Sequence, residues 1–269
     1  MFRIYLALIL VSATVLVTAT VSGQTYRTIT VQDGGTIRGT VKWDGALPRV
    51  PTLAISKDPQ ICDPASHKTR DLERILIGPQ GGVANTVIFL KSIGSGKAMD
   101  IPAQRQFLDQ RICRYEPHIL LVPADGTLQM KSSDATLHTV HMDGAATYNL
   151  PFPFPNQVIS RQMSTPGLVN LKCNGGHTWM NAELFVVPHP YYAVSDENGK
   201  FELSNVPAGE YTLVAWHESW TVARQEGSFD VLTERRVDRP VFTPPRIWEQ
   251  KVNVEPHREA TVSFVIGQK

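Results

Sequence analysis

The sequence predicts an all-β fold, and three observations carry that prediction. Short segments alternate apolar and polar residues with the two-residue period of a half-buried strand, as in Thr36–Trp43, Thr127–Lys131 and Ala260–Ile266. Nineteen glycines and nineteen prolines interrupt the 269-residue chain at short intervals. Few long stretches place apolar residues at helical spacing. The length suffices for a buried core and for two domains. Twenty-six basic residues oppose 25 acidic ones. That balance gives no electrostatic footprint for nucleic acid or for an acidic substrate.

Taken in order, the chain opens with Arg3 and an uncharged run from Ile4 to Gly23 that closes on Val21-Ser22-Gly23. This reads as a secretory signal peptide, residues 1–23, cleaved near Gln24. Ser12, Thr14, Thr18 and Thr20 dilute the run and favour cleavage over an uncleaved anchor. The expected location is periplasmic or secreted. Thr36–Trp43 is the first strand and turns at Asp44-Gly45. Asp58 to Arg74 is polar and irregular. Val87–Leu90 is a continuous apolar run, hence a strand buried on both faces.

Lys91 to Arg105 reads as loop. Ile119–Val122 and Thr127–Lys131 are strands, Ser132-Ser133-Asp134 is a turn, and Leu137–Met142 is the next strand. Tyr148–Pro155 holds three prolines in five residues, which predicts an extended loop rather than a strand. Ala182–Val187 is again a strand. Asp196-Glu197-Asn198-Gly199 is a hairpin turn leading to Phe201–Leu203. Arg235 to Arg246 is charged and Pro-rich and reads as loop. Lys251–Val254 and Ala260–Ile266 are closing strands.

One stretch carries chemistry: Cys173-Asn-Gly-Gly-His177-Thr-Trp-Met180. Val169, Leu171 and Cys173 alternate with Asn170 and Lys172, so a strand delivers the thiol on its apolar face. Asn174-Gly175-Gly176 then turns the chain. Thiolate and imidazole suit copper or zinc, and a nearby thioether favours copper, because zinc rarely takes methionine. No phosphate-binding loop, Ser-His-Asp order or paired catalytic carboxylates is evident.

The Cys-His-Met order resembles the ligand loop of the cupredoxin (blue-copper) family. It is also similar to the last part of the dinuclear copper loop of cytochrome oxidases. There a second cysteine stands four residues earlier; here Val169 stands at that place, which implies one copper ion. In cupredoxins the first ligand histidine comes from an upstream strand after a polar turn, and Asp134-Ala-Thr-Leu-His138-Thr-Val140 resembles that pattern. The resemblance implies a mononuclear copper site of His138, Cys173, His177 and Met180, with Met180 the weak axial donor. His141 points to the opposite face of its strand and is expected to support rather than ligate. A one-electron carrier is implied rather than an enzyme. Its redox protein partner would dock transiently near His177, over an apolar ring drawn from Trp179, Phe152 and Phe154.

A second resemblance joins distant stretches. Thr36–Trp43 together with Asp196–Trp216, including Val206-Pro207-Ala-Gly209-Glu-Tyr211, is similar to carboxypeptidase regulatory-like (transthyretin-like) sandwiches. The expected architecture is a cupredoxin-like Greek-key β-sandwich packed with, or inserted in, a regulatory-like β-sandwich. The expected divisions after the signal peptide are 24–106, a copper domain at 107–187, and 188–269. Other classes are a copper-binding or chaperone protein, a copper enzyme using His118 or His141 as an extra ligand, and a carbohydrate- or surface-binding module. His189, His217 and Glu218 suggest a second metal site, or a polar seam between domains.

Three cysteines in an oxidising compartment leave one unpaired. Copper at Cys173 would protect that thiol, which leaves Cys62 and Cys113 to form a disulfide.

Overall fold

The computed structural model describes residues 26–230 and 235–267, with the side chains of 228–237 excepted. The signal-peptide expectation for residues 1–23 lies outside them. The chain is all-β, as expected, and builds two sandwiches.

In the first sandwich a five-stranded sheet runs in the order Tyr148–Phe152, His138–Gly144, Gly167–Lys172, Asn181–Val187, Ile119–Pro123. A four-stranded sheet faces it: Val158–Met163, Gly126–Ser132, Phe107–Arg111, Arg114–Glu116. Period-two alternation directs Leu128 and Met130 from one sheet, and Val140, Met142, Val169 and Leu171 from the other, into one core.

The second sandwich joins chain segments far apart in sequence. Gly35–Asp44 is the centre of a three-stranded sheet, antiparallel to Lys200–Val206 and parallel to Glu259–Gly267. The opposing sheet orders Tyr192–Val194, Val87–Leu90, Gly209–His217 and Arg246–Val254. Ile37, Val41, Leu90, Leu213 and Phe264 fill the space between them. The turn before Lys200 needs glycine. Gly199 has φ +74°, and a Cβ there would come within 2.1 Å of the Val41 carbonyl oxygen.

The two sandwiches meet face to face. Ile119, Leu121, Phe185 and Val187 from the first pack on Val87 and Trp216 from the second. This is why Asn181–Val187 is buried on both faces. That strand emerges directly from the Cys173–Met180 loop, so the seam and the loop share one rigid element.

Two loop expectations are corrected. Tyr148–Phe152 is a strand, paired with His138–Gly144 in a register that sets Pro151 opposite Thr139. It is an edge strand, where alternate residues need no ladder hydrogen bond, and proline is tolerated at such a position. Arg235–Phe242 is also a strand. It forms a two-stranded ribbon with Val222–Asp230, and Pro240 lies opposite Gln225. With only one neighbour, this strand too has a free edge.

Cys62 and Cys113 form the expected disulfide, and Cys173 is free and buried. Among the described residues no helix is long and apolar enough to cross a membrane.

Candidate metal centre

His138 opens its strand and points inward with Val140 and Met142, while His141 lies half-buried on the other face. Cys173 follows the strand Gly167–Lys172. The loop then closes on itself. Met180 N donates to the His177 carbonyl at 3.0 Å, and Cys173 N donates to the Met180 carbonyl at 3.4 Å. Gly176 takes φ +91° inside this turn, a conformation that suits glycine.

The result is a compact donor cluster. One ligand atom each from His138, Cys173 and His177 lie within 4.8 Å of one another, and all three residues are buried. His138 Nδ1 stands 3.2 Å from His177 Nδ1, and Cys173 Sγ stands 3.7 Å from His177 Nδ1. Met180 sits on the same turn with 1% of its surface exposed.

The outer nitrogens decide what the inner ones can do. His138 Nε2 lies 2.9 Å from Asp134 Oδ2, and His177 Nε2 lies 3.2 Å from Asp58 Oδ2. A carboxylate accepts, so each Nε2 donates its proton to that carboxylate. A ring that has lost its other proton then offers Nδ1 as a lone pair. Two lone pairs at 3.2 Å repel unless a cation or a proton lies between them. Donors about 2.0–2.3 Å from one ion, at angles between tetrahedral and trigonal, are themselves about 3.2–3.8 Å apart. The observed spacings fit that requirement. A thiolate and two imidazoles at this spacing suit copper or zinc.

The surroundings of the sulfur favour its anion. Thr139 N and Gly175 N donate to Cys173 Sγ at 3.4 and 3.3 Å. Burial alone would push the Cys173 thiol up, but hydrogen bonds and charge from His138 and His177 outweigh it and hold the thiol well below its ordinary value. Burial likewise opposes a charge on Asp134. The His138 bond and the backbone N–H groups of Cys113 and Ile112, both at 2.7 Å, hold its carboxyl below the usual range.

A second layer fixes these partners. Thr136 Oγ1 donates to Asp58 Oδ2 at 2.7 Å, and Trp179 Nε1 donates to the Cys113 carbonyl at 3.0 Å. The disulfide packs directly on the cluster. A sulfur from each half-cystine lies within 4.8 Å of a His177 ring nitrogen. Sequence reading missed Asp58 altogether, because it lies 119 residues from His177. Thr139, whose N–H reaches the sulfur, was also missed; its place next to His138 was the available clue. Asp134 stood inside the quoted motif, but its role was not read.

The expected docking surface at His177 is not exposed. His177 is fully buried under Asp58 and the disulfide, Trp179 is 2% exposed and bonded to the Cys113 carbonyl, and Phe152 is fully buried in the core of the first sandwich. Of the expected aromatic ring only Phe154 reaches solvent, at 69% exposed.

The remaining histidines lie elsewhere. No three-donor group among the described residues includes His118 or His141. His118 Nε2 pairs with Glu218 Oε1, and Arg74 pairs with the other Glu218 oxygen. Burial disfavours a charged His118, but the Glu218 carboxylate prevails and raises its pKa. Glu183, 3.9 Å from Arg74, is pushed up to about 8, chiefly by burial and then by Glu218. His189 instead faces the Leu90 carbonyl at 3.1 Å, and burial lowers it to about 4. His118, Glu183 and Glu218 thus form a polar seam, and no three-donor group among the described residues unites His189, His217 and Glu218.

Residues 191–239 match a family model described as the second beta sandwich domain of a BOS complex subunit NOMO1-like protein. This stretch takes in the Lys200–Val206 and Gly209–His217 strands of the second sandwich. No curated protein matches the sequence. Among solved structures, a Cu-containing nitrite reductase (NirK) from Thermus scotoductus SA-01 aligns at 14% identity and a TM-score of 0.29. That alignment covers 36% of this chain and 25% of the reductase, so the chain spans about a quarter of that relative. A reduced Cu(I) amicyanin mutant aligns at 24% identity over 30% of this chain and 80% of its own, with a TM-score of 0.28. A purple cupredoxin from Nitrosopumilus maritimus aligns at 15% identity over 30% and 98%, with a TM-score of 0.27.

Proposed function

We propose that this is an extracytoplasmic mononuclear copper protein that carries single electrons, with His138, Cys173, His177 and Met180 as ligands. One observation carries the reading: two imidazole Nδ1 atoms 3.2 Å apart beside a buried sulfur that accepts two backbone N–H bonds. Bound copper would supply a one-electron couple there. The protein holds the rings in one tautomer through Asp134 and Asp58, shields the sulfur from oxidation, and keeps water out. A site already filled by protein donors suits electron transfer better than substrate turnover. Metal analysis and a visible spectrum of purified protein test the reading. One copper per chain with strong visible absorption supports it, whereas stoichiometric colourless zinc overturns it.

His138 and His141 separate ligand from bystander. His138→Ala is expected to lower copper retention by at least about tenfold, and His141→Ala by less than twofold, measured by metal content after dialysis. Equal losses would put both rings at the metal.

Met180 is assigned the weak axial position. Cu(II) gains more from an extra donor than Cu(I), so Met180→Leu should raise the reduction potential, and the oxygen donor of Met180→Gln should lower it. Voltammetry reads both. Unchanged potentials in the two variants would remove Met180 from the ligand set. A redox protein partner, docking transiently near His177, completes the reading. With His177 buried, that partner would sit on the covering segment around Asp58, where Pro59 and Gln60 are exposed.

A further inference from the structure

A small cavity lies behind the ligand loop, between the first sandwich and the ribbon strand Arg235–Phe242. Its volume is about 140 Å³, enough for four or five water-sized groups. Met180 lines it, together with Arg74, Lys172, Asn181, Glu183 and Arg239. These residues come from four separate parts of the chain.

Four of them carry a buried polar atom without a hydrogen-bond partner: Arg74 Nε, Asn181 Oδ1, Glu183 Oε2 and Arg239 Nε. Each such atom destabilises the fold by about 1–3 kcal/mol unless something satisfies it. Native proteins carry only a few per hundred residues, so four around one small cavity point to an occupant.

The rest of each side chain is already engaged, which fixes what the free atoms offer. Arg239 Nη2 donates to the Cys173 carbonyl at 3.1 Å. Arg74 is held by Glu218 and lies 4.2 Å over the Phe242 ring. Asn181 Nδ2 donates to the Leu72 and Trp179 carbonyls, so its Oδ1 is fixed as an acceptor. Glu218 answers Arg74, but Lys172 and Arg239 form no ion pair among the described residues. Glu183 is the one carboxyl in the lining and, as described above, keeps its proton at neutral pH.

We propose that this cavity is a binding site for a small oxyanion that retains an O–H group, of the hydrogenphosphate class. The anion's oxygens would accept from Arg74, Arg239 and Lys172, and its O–H would donate to Asn181 Oδ1. A fully deprotonated anion of the same size leaves Asn181 facing negative oxygen. A neutral ligand leaves the cations uncompensated. The occupant sits beside Met180 but needs no metal.

Titration of the copper-free chain with inorganic phosphate at pH 7, followed by calorimetry, tests the site apart from the copper reading. One saturable site per chain is expected, with sulfate binding markedly weaker. Arg239→Gln and Lys172→Gln, each checked for an unchanged circular-dichroism spectrum, should weaken phosphate binding about tenfold or more, the worth of a charge-assisted hydrogen bond. The second variant, on a half-buried strand end, covers the case in which the first does not fold. Absence of saturable binding by the folded wild-type chain overturns the proposal and leaves water as the occupant. Equal phosphate binding by a folded variant overturns the location. Sulfate binding as tightly as phosphate overturns the role of the O–H group.

Discussion

Replacing Cys173 with serine is expected to abolish the intense visible absorption of the copper-loaded protein and to lower copper affinity by more than about 100-fold. Partners that merely orient a ligand are worth 10–100-fold, and a direct soft donor should exceed them. The fold should survive. Serine is nearly isosteric, and the N–H groups of Thr139 and Gly175 that now face Sγ can donate to a hydroxyl oxygen instead. The hydroxyl, however, is a far weaker acid than this thiol, whose surroundings favour its anion, so the negative charge that would face His138 and His177 is lost. With the centre emptied of its soft anion, a hard oxygen donor and two imidazoles hold Cu(I) poorly. Absorption spectra and metal content, read alongside thermal unfolding, check the outcome. Retained colour and retained copper in Cys173→Ser would place the metal elsewhere.

The fold class was legible because strand alternation and turn chemistry are local. The period-two pattern of Val169, Leu171 and Cys173 told which face the thiol takes, and the same logic set His138 inward and His141 outward. Pro151 and Pro240 misled for a physical reason. Proline forbids a central strand but not an edge, and whether a strand is an edge depends on neighbours distant in sequence. The same limit hid Asp58 and the burial of His177. The loop alone shows a histidine on a turn, which ordinarily reaches solvent. The segment that covers it is brought there by a cross-link between Cys62 and Cys113, both far from the ligand loop in sequence. The polar seam was half legible: His217 and Glu218 drew notice as neighbours, but Arg74, His118 and Glu183 meet them only through the packing of two sandwiches.

Removing the disulfide is expected to destabilise the chain by about 4 kcal/mol and to loosen the metal centre at the same time. The bridge closes a loop of 51 residues, for which the chain-entropy model gives about that figure. The proper variant is Cys62→Ala with Cys113→Ala. Both half-cystines are fully buried, and alanine avoids adding an unpartnered hydroxyl. Apart from the bridge, the Thr136 hydroxyl and the packing of Ile55 and Ile61 on the core hold the segment around Asp58. It is a single helical turn, Pro59–Cys62, and Asp58 itself holds a left-handed conformation with φ 46°. Once untethered, Asp58 no longer stays 3.2 Å from His177 Nε2. The His177 tautomer then loses its lock, which is worth 10–100-fold in metal affinity for outer partners of this kind. Asp134 is anchored separately by the Ile112 and Cys113 backbone, so His138 should be affected less. Denaturant unfolding with and without the bridge measures the first effect, and copper competition titrations measure the second. Wild-type protein treated with a thiol reductant should behave like the double variant. A stability change below about 1 kcal/mol would mean that the covering segment is held by packing alone. Unchanged copper affinity, with the bridge gone, would mean that Asp58 does not govern His177.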